Sequence, residues 1–328
     1  MGYIVLPGAS YSFEVGFLEK SRDVGGFAER VLQRVAELDS RLVVGIDPDP
    51  DLLNPFTPGI RAAFGGEPEA ILKRFCRTVL EAVGDQAVCV KPQAAFFEAW
   101  GLPGMRALAD CIGEARRAGV PVILDAKRGD VGNTAKAYAR AYLDPGSPFF
   151  SDALTVNPYL GEDALWPFVE AASKNSCGLF VLVRTSNPAS GTVQSLLLKT
   201  GGTVAESVAS MVNRLGEGLA GPSGYSPVGA VVGLTHPEDV LKLRTLMPRS
   251  ILLLPGFGAQ GGRAEDASCA FHPGGKGALV SASRSITSSF LRADDGGFLS
   301  REQVAEDMRA RAIRAREEIN RAALRSST

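Results

Sequence analysis

Four charged residues of both signs lie within six positions of the stretch LDAKRGDVGNT, residues 124–134. The stretch begins where the apolar run PVIL ends, and such a run is typical of a buried strand. In a partly dehydrated site, a carboxylate holds a neighbouring ammonium in its protonated form. An ammonium held in this way can donate a proton and stabilise negative charge on a substrate atom. Asp125, Lys127 and Asp130 are therefore candidate catalytic residues.

Two more charged residues end neighbouring apolar runs. Asp47 follows RLVVGI and Lys91 follows QAVCV, so we predict an alternating network of lysines and aspartates. Three other interpretations stay open for this network. It could consist of ion pairs that only hold loops together. The carboxylates could bind Mg²⁺, although the lysines would compete for them. Lys127 or Lys91 could form a Schiff base, although an adjacent carboxylate raises the lysine pKa and disfavours this.

A glycine-rich stretch, LLLPGFGAQGG, covers residues 252–262. Its Gly256, Gly258 and Gly261 match the dinucleotide pattern G-x-G-x-x-G, but no acidic residue follows near 20 positions downstream. A barrel commonly binds phosphate in the loops after its last two strands, and Arg284 in SASRSI follows the next apolar run. We therefore favour a phosphate site over a dinucleotide site. The alternative is that the glycines only permit a tight turn.

The composition excludes several classes of partner. Lys and Arg number 35 against 36 Asp and Glu, so no general attraction to nucleic acid or to anionic membranes is expected. No run approaches the roughly 18 apolar residues of a membrane span. The five cysteines form no CxxC pair and are expected to be reduced in a cytoplasmic protein. The two histidines and the lack of a G-x-S-x-G elbow give little support for nucleophilic catalysis.

Short β-rich runs alternate with helical patterns from about residue 41 onward. The pattern predicts eight strands, each followed by a helix, and this fits an α/β fold of the (β/α)8 barrel type. We predict one domain over residues 1–328, with an N-terminal extension and helix (1–40), a barrel core (41–300) and a C-terminal helix (301–328). The predicted strands cover residues 41–47, 86–92, 120–127, 152–158, 177–185, 228–235, 250–256 and 276–283. In such a barrel the C-terminal ends of the strands meet at one mouth, so the charged residues should converge there.

The stretch DAKRGDVGNT resembles the D-x-K-x-x-D signature of the orotidine 5′-phosphate decarboxylases. Its AKRGD form is similar to their longer, bacterial-type subfamily. Further motifs resemble the family in the expected order, namely VGIDPDPDLL, VKPQAAFFEAWG, LTVNPYLG, LVRTSNP, PGFGAQGG and SASRSI. The resemblance implies a barrel homodimer that decarboxylates orotidine 5′-monophosphate (OMP) to UMP, with neither metal nor organic cofactor.

The resemblance also implies a role for each matching residue. Lys127 would stabilise charge at C6 of the pyrimidine and protonate it, while Asp125 would lie against the substrate carboxylate. Lys91 would bridge Asp125 and the ribose. The remaining residues would bind the substrate. Asp47 would bind the ribose hydroxyls and Ser186 the pyrimidine, while Asp130 and Thr134 would reach the ribose side of the neighbouring subunit's site. Gln260 and Arg284 would bind the phosphate, and Gly258 and Gly261 would belong to the phosphate loop.

Two rival functions remain. A related barrel of the 3-keto-gulonate 6-phosphate decarboxylase type carries the same D-x-K-x-x-D signature and needs Mg²⁺. Its sugar substrate has no pyrimidine, so the RTSNP and AQGG motifs weigh against it. The second rival is a nucleotide-binding barrel without catalysis, which the intact charged positions disfavour.

Overall fold

Eight parallel strands form one sheet in the computed structural model, which describes residues 25–55, 58–258, 261–288 and 299–325. The strands are short, and most of them are rich in Val, Leu and Ile, as expected where both faces are buried. The strands are β1 (Leu42–Ile46), β2 (Cys89–Pro92), β3 (Ile123–Arg128), β4 (Ala153–Val156), β5 (Gly178–Arg184), β6 (Ser226–Val232), β7 (Ser250–Leu254) and β8 (Ala278–Ala282).

The sheet closes into a barrel. Neighbouring strands pair in the order β2, β1, β8, β7, β6, β5, β4, β3. The two ends of that order meet through parallel bridges between Val90 and Val122 and between Gln93 and Asp125. This confirms the predicted (β/α)8 barrel, and every predicted strand overlaps an observed one.

Helices surround the barrel and connect successive strands. Short additional helices lie in the loops at the C-terminal ends of the strands. The helices are α1 (Phe27–Leu38), α2 (Pro58–Ala63), α3 (Pro68–Val83), α4 (Ala94–Ala99), α5 (Gly101–Arg117), α6 (Gly132–Leu143), α7 (Glu162–Lys174), α8 (Gly191–Gln194), α9 (Val204–Leu215), α10 (Pro237–Leu246), α11 (Arg284–Thr287) and α12 (Arg301–Arg325).

The prediction of a helix after each strand is wrong at one place. In the described residues between β7 and β8, the chain forms a 3₁₀ helix (Ala264–Ala270) and no α-helix. Glycines at 261 and 262 precede this segment, and the turn HPGGKG follows it with positive φ at Gly274, Gly275 and Gly277. Proline and several glycines leave too short a stretch for a full α-helix.

Helix α1 covers the N-terminal end of the barrel. Its Phe27 and Val31 pack with barrel residues such as Ile123 and Phe180 in one apolar cluster. The Arg34 guanidinium donates hydrogen bonds to the carbonyl oxygens of residues 84, 87, 88 and 119, which lie at this end of the barrel. The helix therefore shields the barrel interior from water on the side away from the strand C-termini.

The five cysteines are free thiols, four of them buried. Burial raises the pKa of Cys177 to about 12 and that of Cys89 further, so these thiols stay protonated and unreactive at neutral pH. Among the described residues, no helix has the length and apolar composition needed to cross a membrane.

Gly178→Ala is expected to destabilise the contact between α1 and the barrel. A Cβ at this position would lie 2.3 Å from the Phe27 ring, which is buried edge-to-face against Phe180. The overpacked variant should lose about 1–3 kcal/mol of unfolding free energy, measured by urea denaturation.

Gly113→Ala is the matched control in α5, where the nearest atom to a new Cβ is the mobile end of Arg117 at 3.6 Å. This control should be about 0.5–1 kcal/mol more stable than wild type. Equal stability changes in the two variants would contradict the close packing of α1 on the barrel.

Candidate active site

The C-terminal ends of the strands surround a cavity of 380 Å³. It is the mouth of the barrel, where enzymes of this fold hold their catalytic groups. Six of the predicted site residues line it: Asp47, Lys91, Asp125, Lys127, Ser186 and Arg284.

The Asp125 carboxylate is the centre of the charged network and is buried. Its Oδ2 accepts hydrogen bonds from Lys91 Nζ at 3.0 Å and from Gln93 Nε2 at 3.1 Å. Its Oδ1 accepts from Lys127 Nζ at 2.7 Å and from Thr155 Oγ1 at 2.9 Å. Four donors on one carboxylate, two of them charged, fix its orientation and keep it ionised.

Alternation along the strand brings Asp125 and Lys127 to the same side of β3. The register between β3 and β4 shifts between Leu124 and Arg128, and Lys127 adopts a φ of 48°. Its N–H donates to Thr155 Oγ1 at 2.9 Å instead of to a strand carbonyl. A non-glycine residue in the left-handed region is strained. The strained residue, Lys127, lines the cavity, and its side chain is 44% exposed.

The charges of the network stabilise one another. Burial opposes ionisation of Asp125, but the ammonium groups of Lys91 and Lys127 hold the pKa of that carboxyl well below its usual range. Burial also opposes a charged Lys91, but the Asp125 and Asp47 carboxylates outweigh it and raise the pKa of the Lys91 amine. Asp125 is therefore an anion, and Lys91 a cation, throughout the neutral pH range.

Asp47 lies at the end of β1 beside Lys91. Burial raises the pKa of its carboxyl, and Lys91 and the Ser283 hydroxyl oppose that rise. Gly45, two residues before Asp47, leaves the space that Ser283 occupies, since a Cβ there would lie 1.8 Å from the Ser283 Oγ. This carboxyl is the least stabilised acid of the network and is suited to accept hydrogen bonds from a bound molecule.

Arg284 begins α11 at the other end of the cavity. Its side chain is exposed, and within the described ranges it makes no ion pair with an acidic residue. Pro255, Gly256 and Phe257 of the loop after β7 line the cavity next to it. A guanidinium that has no acidic partner in the described part of the chain and lies beside a glycine-containing loop is suited to bind an anion.

The two glycines predicted in the phosphate loop, Gly258 and Gly261, line a depression that is separate from the cavity. The N–H of Gly258 donates to the carbonyl of Gly262 at 3.0 Å, and that of Gly261 donates to the carbonyl of Gly258 at 2.9 Å. Both residues face a separate depression beside α12 rather than the cavity. Their φ angles of 75° and 87° favour glycine, so they shape the loop. Gln260 lies outside the described residues.

Two further predicted residues, Asp130 and Thr134, lie outside this cavity. The Asp130 carboxylate accepts a hydrogen bond from the N–H of Val131 at 2.8 Å, and Thr134 is exposed on the first turn of α6. Neither residue is among those that line the cavity. Both lie at the rim formed by the loop after β3.

Three polar residues that contact Asp125 or Asp47 were missed in the sequence analysis: Gln93, Thr155 and Ser283. Gln93 and Thr155 both donate to Asp125, and Ser283 lies beside Asp47. A usable signal existed, because Gln93 follows Lys91 by two positions and Thr155 lies within the predicted strand 152–158. Without a charge, these residues did not stand out from the sequence.

The geometry disfavours Mg²⁺ on Asp125, because an ammonium group already occupies each carboxylate oxygen. Among the described residues, three possible metal ligands lie close together elsewhere: His236, Glu238 and Asp239. There Asp239 is already paired with Arg184 at 2.7 Å. This cluster lies at the start of α10 and does not line the cavity.

A closed barrel with lysines and aspartates paired at the C-terminal mouth defines a (β/α)8-barrel enzyme. The chain belongs to the orotidine 5′-phosphate decarboxylase / HUMPS family, whose model matches residues 40–291.

Similar proteins cover nearly the whole chain. A Rhodopirellula baltica protein named orotidine 5′-phosphate decarboxylase is 43% identical over 298 residues, covering 89% of this chain and 98% of the relative. One of the same name from Deinococcus radiodurans is 48% identical over 262 residues, covering 79% and 88%. The solved structure of Leishmania donovani OMP decarboxylase superposes with a TM-score of 0.67 at 29% identity, covering 91% of this chain and 98% of that one.

Asp125→Asn is expected to lower the unfolding free energy by roughly 3 kcal/mol at neutral pH, because it leaves the buried Lys91 ammonium without its main partner. The folded-state pKa of Asp125 is lowered. Its stabilisation is therefore fully present above about pH 4, where the unfolded carboxyl is also ionised, and is lost as the pH falls towards the folded-state pKa.

Urea unfolding of wild type and variant between about pH 3 and pH 8 measures this difference. The difference should be constant above about pH 5 and shrink below about pH 4. Asp163→Asn, at an exposed position of α7, is the matched control and should change stability by less than about 1 kcal/mol. A deficit in Asp125→Asn that does not shrink in acid would contradict the assignment.

Proposed function

We propose that this protein is an orotidine 5′-phosphate decarboxylase that converts OMP to UMP and CO2 without a metal or an organic cofactor. The observation that carries the proposal is the Asp125 carboxylate held between the ammonium groups of Lys91 and Lys127 in the barrel mouth. The names of relatives at 43% and 48% identity support it. The AKRGD form of the motif favours the longer bacterial-type subfamily, and the free cysteines favour the cytoplasm.

Substrate binding spans the length of the cavity. Arg284, together with Gln260, binds the phosphate at the end formed by the loops after β7 and β8. Asp47 accepts hydrogen bonds from the ribose hydroxyls, and Ser186 lies against the pyrimidine. The phosphate is remote from the reacting carbon, so its binding energy can offset the cost of desolvating and orienting the base.

Lys127 carries out the chemical step. The bond between C6 and the carboxylate breaks, CO2 leaves, and the electron pair stays on C6. The Lys127 ammonium stabilises this developing negative charge and then transfers a proton to C6, giving UMP. The neutral Lys127 amine takes up a proton from water to complete the cycle.

Asp125 and Lys91 prepare Lys127 for this step. Asp125 holds the Lys127 ammonium at 2.7 Å and lies against the substrate carboxylate. Lys91 compensates the Asp125 charge, so the carboxylate can stay ionised in a buried position. The two ammonium groups are in place before substrate binds. Because the electrostatic field is preorganised in this way, it stabilises the charge that develops in the transition state.

The Mg²⁺-dependent sugar-phosphate alternative is less well supported. A divalent cation on Asp125 would have to displace Lys91 or Lys127. The relatives with the highest identities above are named for OMP rather than for a sugar phosphate.

The protein acts as a homodimer with shared active sites. Asp130 and Thr134 lie at the rim and away from this chain's own cavity. Exposed apolar side chains lie on the same rim, including Val131 next to Asp130 and Tyr159 after β4, which is 83% exposed. Apolar patches of this kind mark interaction surfaces. In the dimer, Asp130 and Thr134 reach the ribose in the neighbouring subunit's site.

Lys127→Ala is expected to lower kcat for OMP by roughly 10³-fold or more and to leave UMP binding largely intact, because Lys127 acts mainly in the transition state. The loss of OMP absorbance in excess EDTA measures turnover, and calorimetry measures UMP binding. Lys174→Ala, exposed at the end of α7, is the matched control and should keep full activity. Near wild-type turnover in Lys127→Ala, or EDTA-sensitive turnover in wild type, would refute the mechanism.

Mixing Lys127→Ala with Asp130→Ala should restore activity that each variant lacks alone. A heterodimer of the two contains one site with both changes and one intact site. Random subunit exchange therefore restores about one quarter of wild-type activity. Differently tagged subunits verify that exchange occurred. If exchanged heterodimers remain inactive, Asp130 does not act in the neighbouring subunit's site.

A further inference from the structure

The wall of the cavity formed by the end of β5 carries no charge. Thr185 and Ser186 line the cavity directly after β5, two strands away from β3 in the barrel order. Within the described ranges, the charged residues of the Asp125 network make no hydrogen bond to Thr185 or Ser186. Other contacts must therefore fix the positions of Thr185 and Ser186.

Gln194, the last residue of α8, binds Thr185 through both ends of its carboxamide. Its Oε1 accepts a hydrogen bond from the Thr185 N–H at 2.9 Å, and its Nε2 donates to Thr185 Oγ1 at 2.9 Å. A single side chain thus fixes the backbone and the hydroxyl of a cavity-lining residue. The Thr185 hydroxyl in turn donates to Asn187 Oδ1 at 2.7 Å.

Gln194 is itself held by a buried arginine. Arg184 donates from Nη1 to Gln194 Oε1 at 3.4 Å and to Ser190 Oγ at 2.7 Å. Its Nε donates to Asp239 of α10 at 2.7 Å. The loop that carries Gln194 is therefore connected through Arg184 to the helix layer outside the barrel.

The other side of Ser186 contacts the end of β6. The Thr235 hydroxyl donates to the Ser186 carbonyl at 3.2 Å. A Cβ at Gly233 would lie 2.8 Å from the Ser186 nitrogen, so the backbones of the two strands approach closely here. Ser186 is thus confined between β6 on one side and, through Thr185, Gln194 on the other.

We propose that Gln194 is a positioning residue that determines recognition of the planar base, by holding Thr185 and Ser186 at the cavity wall. The inference rests on the proposed function, because it takes the ligand to be a pyrimidine nucleotide. Gln194 does not line the cavity, so it acts through Thr185. Both of its hydrogen bonds to the cavity wall are made with Thr185, so their loss moves this wall and leaves the phosphate end and the Asp125 network in place.

The test compares UMP with ribose 5-phosphate, which lacks the base, in Gln194→Met. This unbranched substitution removes both hydrogen bonds to Thr185 and keeps the side-chain length. We expect UMP affinity, measured by calorimetry, to fall about tenfold. The affinity for ribose 5-phosphate, measured by competition with UMP, should change less than about twofold. With OMP, KM should rise by more than kcat falls.

Two further variants make the result interpretable. Gln194→Glu keeps an acceptor for the Thr185 N–H and for Arg184, so it should recover most of the UMP affinity. Gln33→Met, the same change at an exposed position of α1, should bind both ligands as wild type does.

Equal losses of UMP and ribose 5-phosphate affinity in Gln194→Met would overturn the inference, because they indicate general loosening of the site. Unchanged UMP affinity would also overturn it. Wild type that binds UMP without decarboxylating OMP would refute the proposed function, while the binding comparison would still decide the role of Gln194. Wild type that binds no UMP would refute both.

Discussion

The structure of the site depends on one buried carboxylate that must stay ionised. Asp125 can do so only because Lys91 and Lys127 each donate to one of its oxygens and neutral donors fill the remaining positions. A buried ion without such partners costs several kcal/mol. The need to keep Asp125 ionised connects the C-terminal ends of β2, β3 and β4. Strand β3 contributes the accepting carboxylate, and β2 and β4 contribute the donors Lys91 and Thr155. This need also explains the strained backbone at Lys127, which brings the lysine to Asp125 while Thr155 binds its N–H.

The barrel divides its mouth into two chemically different parts. The ends of β1, β2 and β3 contribute the charged residues of the network, whereas the loops after β5, β7 and β8 contribute neutral groups, glycines and one arginine without an acidic partner in the described chain. The first part suits a reacting centre at which charge develops, and the second suits binding of the remote groups of a substrate. Helix α1 covers the opposite end of the barrel, and the charged network lines the cavity at the mouth.

The sequence pattern was sufficient to predict the fold. Apolar runs gave all eight strands because a parallel barrel buries both faces of each strand, which leaves a continuous apolar signal. The rule of one helix per strand was wrong only between β7 and β8. There, glycines and Pro273 interrupt the chain, and local backbone preferences outweigh the repeat. The closure of the barrel between β2 and β3 rests on two bridges and had no signal of its own in the sequence.

For the site, the sequence by itself determined which charged residues would meet. Alternation places Asp125 and Lys127 on one side of a strand, and the barrel brings Asp47 and Lys91 to the same mouth. Only the tertiary structure showed that Gln93 and Thr155 are the neutral hydrogen-bond donors to Asp125. It also showed that the N–H groups of Gly258 and Gly261 donate to carbonyl oxygens of their own loop. It also left Asp130 and Thr134 outside this chain's own cavity. The physical reason is that periodicity fixes the direction of a side chain. Hydrogen-bond partners depend instead on register and loop geometry between segments about 30 residues apart in the chain.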